Sequence, residues 1–172
     1  MDKKNNPYYL GIDLCDAYAM VSFYQLHMEE PDTVSAIAGS ENYRIPVILA
    51  RRKNVGMWYY GDEAKKMAKT SEVLCVDCLL QRAVNKEKIL VGDTSYDAVE
   101  LLALFLKKVM ELPQKLGAST HVDRLVITVE KLTKDNMEVF WKVANKLELT
   151  EEHFMVIDRK STRLNSSHQI IS

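Results

Sequence analysis

Between residues 97 and 157 two amphipathic stretches alternate with two short apolar, largely β-branched runs, and this order constrains the fold more than any other feature. In the first stretch Ala98, Leu101, Leu102, Phe105, Leu106 and Val109 recur at helical spacing; Asp97 with Glu100 makes an acidic variant of the capping box, and Pro113 ends the run. Thr133 can cap a second helix that places Met137, Phe140, Trp141, Ala144 and Leu147 on one face. Residues 125–129, Leu-Val-Ile-Thr-Val, lie between the helices, and residues 154–157, Phe-Met-Val-Ile, follow the second. Helix, strand, helix, strand implies parallel strands joined by crossovers, so the fold class is α/β.

The part before residue 97 reads differently. Tyr8 to Asp13 and Tyr18 to Leu26 are strand-like and separated by a turn-sized Leu14-Cys15-Asp16-Ala17, which predicts a β-hairpin. Thr33 to Ala38 offers a third strand, closed by Gly39-Ser40. Ile45 to Ala50 and Met57 to Tyr60 read as extended. Gly61-Asp62 then opens a helix over Glu63 to Lys69 with Asp62 as its cap, and Cys75 to Val84 reads as a further short helix. Gly92-Asp93 marks a turn after Ile89 to Val91. The whole is three consecutive strands, an inserted segment at about 40–96, then helix, strand, helix and strand. A flavodoxin-like or Rossmann chain would begin strand, helix, strand instead.

Composition narrows the partners. In 172 residues there is room for one domain, and hydrophobic residues at 47% with charged residues at 27% describe a folded chain. Lys plus Arg at 23 nearly balances Asp plus Glu at 24, leaving no net field to hold a nucleic-acid backbone or an anionic membrane surface. No signal-peptide core and no bilayer-spanning apolar stretch is present, and three unevenly placed cysteines suit a reducing compartment, so a cytoplasmic location is expected.

The stretch from Asp158 to Ser172 is polar, Ser-rich and without periodicity, and it begins where a buried strand is in progress. Back-translated with one choice of codons, Asp158 to His168 reads as a common short-read sequencing adapter, with Gln169-Ile170 in the place of a barcode. The expectation is a non-native, disordered tail at 158–172 that does not pack on the core; a natural disordered C-terminus is the alternative.

Gly11-Ile12-Asp13-Leu14, at the end of the first strand, resembles the Gly-Ile-Asp-Leu-Gly-Thr-Thr element of actin-like and DnaK-type ATPases. Further similarities follow in order. Ile45-Pro46-Val47-Ile48 resembles the family's Thr-Pro-Ser-Val segment, Gly61-Asp62-Glu63-Ala64-Lys65 its Gly-Glu-Pro-Ala-Lys helix start, and residues 125–129 its Val-Ile-Thr-Val-Pro strand. The resemblance covers residues 8–157 and implies the N-terminal lobe of an actin-like (ribonuclease H-like) nucleotide-binding domain. That lobe is a mixed five-stranded sheet with an inserted small subdomain, here truncated.

It further implies ATP and magnesium as cofactors of the parent protein, and protein clients as partners. Asp13 would face magnesium through water, Lys65 would be the catalytic lysine directed at the γ-phosphate, and Gly11, Asp13, Cys15 and Asp16 would border the nucleotide. Asp13 and Lys65 would then share one cleft. On the residues alone, Asp13 as a turn cap and Lys65 as a solvated helix lysine remain open.

The departures are chemical. Cys15-Asp16-Ala17 stands where the family has Gly-Thr-Thr, which removes the glycine that lets backbone approach phosphate and brings a negative charge toward it. Glu130 replaces the family's proline, and the remainder of a complete site would lie past residue 157, so this chain is expected to be inactive. Two functions are carried forward: an ATP-dependent, chaperone-like parent, and a non-hydrolysing scaffold that binds a protein. A sugar kinase or a cell-shape filament protein is a third. Cys75-Val-Asp-Cys78 has metal-like spacing but no second ligand pair, so half-buried structural cysteines are the simpler reading.

Overall fold

A computed structural model describes residues 6–118 and 120–160. Its largest sheet begins with the predicted hairpin, β1 (Tyr8–Leu14) and β2 (Tyr18–Gln25), paired antiparallel over the full length of β1. A two-residue β3 (Asp32–Thr33) extends β2. The strand expected to run to Ala38 stops because Ser35 turns its hydroxyl onto the carbonyls of Ile37 and Asn42, a local bond that competes with the ladder.

The segment after β3 makes a second, smaller layer. β4 (Ile45–Pro46) returns to the start of β2. β5 (Leu49–Arg52), β6 (Trp58–Tyr60) and β7 (Val73–Val76) form a three-stranded sheet with β5 in the centre, and α1 (Gly61–Met67) packs against it. Gly61 takes a φ of +63°, and a Cβ there would meet Ile45 Cγ2 at 3.1 Å, so only glycine makes this strand-to-helix corner without strain. Asp62 therefore falls inside the helix, and the cap position belongs to Tyr60, not to Asp62 as the sequence suggested. The stretch from Cys75, expected to be helical, begins as strand because β7 pairs with β5; helix α2 (Leu79–Val84) starts only afterwards. A hairpin of β8 (Lys88–Val91) and β9 (Thr94–Asp97) closes the insertion.

The last part follows its local signals. Helix α3 (Ala98–Met110) opens on a complete capping box, with Asp97 and Glu100 each satisfying the other's backbone N–H. A single turn, α4 (Leu112–Lys115), carries Pro113 in its first turn. Strand β10 (Val122–Val129) lies parallel to β1, and β11 (Phe154–Asp158) parallel to β10. Between them runs α5 (Lys134–Lys146), capped by Thr133 Oγ1 accepting from the N–H of Asn136 at 3.1 Å. Asp158, read from sequence as the start of the tail, instead completes β11 opposite Val129, and its Oδ2 accepts from the N–H of Leu132 at 2.8 Å. Residues 161–172 of the expected tail lie outside the described residues.

The main sheet thus has six strands, not the five expected: it runs β11-β10-β1-β2-β3, the first three parallel to one another and the last three antiparallel, and the two-residue β4 pairs with the start of β2 beside this path. Alternate side chains divide its faces. Leu10, Ile12, Val21, Leu125 and Ile127 point into a core shared with α3 and α5, where Phe105 and Phe140 are fully buried. On the other face Tyr9, Arg124 and Met155 are exposed and Met20, Tyr24 and Val126 half-buried.

Candidate functional site at the carboxyl ends of the parallel strands

In open α/β sheets ligands settle outside the carboxyl ends of the strands. Here that edge is marked by a row in which Asp13 of β1 stands beside Thr128 of β10, and Thr128 beside Ile157 of β11. Asp13 is one third exposed and pairs with Arg159. The pair ties the segment that follows β11 to the carboxyl end of β1. Glu130 is exposed just beyond β10.

The turn after β1 carries the other predicted residues and is tightly engaged. Cys15 donates its N–H to Tyr18 O at 3.1 Å, and its thiol reaches the same carbonyl at 3.5 Å. Val47 straps the turn by donating to Ala17 O at 3.2 Å. Arg44 lies over the Tyr18 ring at 4.8 Å.

The Asp16 side chain is engaged by the insertion. Its Oδ1 accepts from the N–H of Leu80 at 3.0 Å and of Gln81 at 3.1 Å. These are orphan donors of the first turn of α2, and the helix's own cap residue, Cys78, cannot serve them: it sits in the left-handed region at φ 51° and supplies no side-chain bond. Asp16 is thus a helix cap delivered from another part of the chain, with its negative charge beside the positive end of the helix. Nothing local in the sequence marks this role, because the partner lies 64 residues away.

Lys65 stands exposed in the last turn of α1, whose buried residues are Gly61 and Ala64. Neither Lys65 nor Asp13 lines the cavity of about 560 Å³ that opens beside the start of that helix. Gly11 sits mid-strand on the open sheet face, where a Cβ would meet nothing nearer than Ser22 O at 3.9 Å.

Cys15, Cys75 and Cys78 are free thiols. Cys75 and Cys78 are exposed rather than half-buried as expected, and desolvation followed by the charge of Asp77 pushes both thiols above their ordinary range. Among the described residues no group of three or more His, Cys, Asp or Glu is arranged to hold a metal ion, and no helix is long and apolar enough to cross a membrane. No curated protein matches the chain significantly. Residues 30–165, from just before β3 to seven residues past the end of β11 and so into the stretch read from sequence as a foreign tail, match the C-terminal part of a family of unknown function (DUF5716), and the chain belongs to that family.

Proposed function

We propose that the chain is one lobe of an actin/DnaK-like fold and serves as a non-hydrolysing scaffold that binds a protein partner. The fold reading is supported by the strand order, in which three antiparallel strands are followed by an insertion and then by two strands parallel to the first. The loss of nucleotide chemistry rests on one observation: the Asp16 carboxylate caps α2. A phosphate seated at this turn would meet that carboxylate and would compete for the α2 N–H groups it holds. No glycine is present at positions 15–17 to let backbone come close. The turn therefore does not fit a polyphosphate. A cytoplasmic setting goes with this reading, in keeping with three free thiols.

A second reading, an ATP- and magnesium-dependent chaperone-like protein with Asp13 on the metal side and Lys65 on the phosphate side, is favoured by the place of Asp13 at the carboxyl edge of the parallel strands. Calorimetric titration with Mg-ATP separates the two. The scaffold shows no saturable heat up to roughly millimolar nucleotide, the range in which binding is worth only about 4 kcal/mol. Saturable binding that Asp13→Asn abolishes would overturn the scaffold in favour of the second reading.

A further inference from the structure

A cavity of about 560 Å³ opens between the loop after β3, the first residues of α1 and the end of α4, and none of its lining residues belongs to the β1–β2 turn. Its volume is that of a small-molecule site. Val34 and Ile45, both core residues, line it together with Leu112 and Leu116, which gives it apolar surface. Charge is confined to three side chains, Asp62 and Glu63 on α1 and Lys115 on α4. No ion pair joins Lys115 to either acid among the described residues.

Asp62 is the residue that does not fit a purely structural account. The Gly61 corner places it at the cavity wall, it serves as no helix cap, and its Oδ2 is buried without a hydrogen-bond partner. A buried acceptor left unpaired is costly, and one at the margin of an open cavity can be satisfied by a donor arriving there after a small turn of the carboxylate. Two carboxylates against one lysine favour a cation over an anion, and the apolar walls favour a hydrophobic body over a bare ion.

We propose that this cavity binds a small amphipathic cation. An ammonium or guanidinium head would lie on Asp62 with Glu63 behind it, and an apolar body would lie between Ile45 and Leu116. A free amine and a lysine or arginine side chain on a partner polypeptide share this chemistry.

The test uses the full chain and matched probes, hexylamine, hexanol and hexanoate, titrated at millimolar concentrations and followed by amide chemical shifts. Hexylamine should bind at least tenfold more tightly than either of the others, with shifts at residues 34, 45, 62 and 116. Asp62→Asn should weaken it at least tenfold while circular dichroism stays unchanged. Leu116→Trp, a substitution at an exposed position that leaves the core untouched, should weaken it by filling the mouth. A short lysine-containing peptide with blocked termini distinguishes the sources, binding more tightly than hexylamine if the natural ligand is a polypeptide side chain and more weakly if it is a free amine. Equal binding of the three probes, no binding of any of them, or an Asp62→Asn chain that binds hexylamine as before overturns the proposal.

Discussion

At the scale of single residues, Asp16 shows how a position can be conspicuous in the sequence and still be misread. Beside Asp13, in a turn that resembles a phosphate loop, its charge looks like a damaged ligand site, yet the carboxylate is used to cap α2. Removing it should cost what a helix cap costs, about 1 kcal/mol within a range of roughly 0.5 to 2. Asp16→Ala should therefore lower the unfolding free energy measured by urea titration by that amount, and Asp16→Asn, which keeps the acceptor oxygen, should recover most of it. If the alanine variant were as stable as the parent, the cap would be idle and the objection to a phosphate at this turn would weaken. Asp62 was misjudged for a related reason: the Gly-Asp pair does mark a helix start, but the positive φ at Gly61 moves the cap one position upstream of the glycine, to Tyr60.

Among elements, those whose signals are local were legible. The capping box at Asp97 and Glu100 and the Thr133 cap need only residues three apart, and both appear as read. Thr133→Ala should destabilise by about 1 kcal/mol and shorten the protection of α5 amides in hydrogen exchange; an unchanged exchange pattern would show that tertiary packing alone sets that end. The buried face of α5 was only half legible. Phe140 and Ala144 are buried as expected, but Val139 and Val143 join them, whereas Trp141 is 40% exposed and touches Phe154 edge-on. The apolar stripe is wide enough to admit either face, and only the position of the sheet chooses between them. Strands β7 and β9 were not legible because each exists through its partner, β5 and β8, and the propensities of Cys75-Val76 or Thr94-Ser95 do not announce a pairing. Ser35 ended β3 through a hydroxyl bond that pattern alone does not show.

For the whole molecule, the main consequence lies in how the sheet is covered. Helices α3 and α5 share the buried side, and the side bearing Tyr9, Arg124 and Met155 is open among the described residues. Parallel strands are ordinarily buried on both faces, so this chain should associate as its concentration rises. Sedimentation velocity should show a shift to larger species that Met155→Lys reduces, with the melting temperature altered little because the position is 49% exposed. A monomer at all concentrations would mean that the face is polar enough to stand in water. The Asp16 cap also sets a timetable. Its donors lie 64 residues downstream, so the bond can form only after the hairpin and the insertion have met, and the entropy of that closure is lost before the contact repays it. A link of this kind forms late. In stopped-flow measurements Asp16→Ala should speed unfolding while leaving the refolding arm nearly where it was, and a matching slowdown in refolding would place the meeting of hairpin and insertion at the barrier itself.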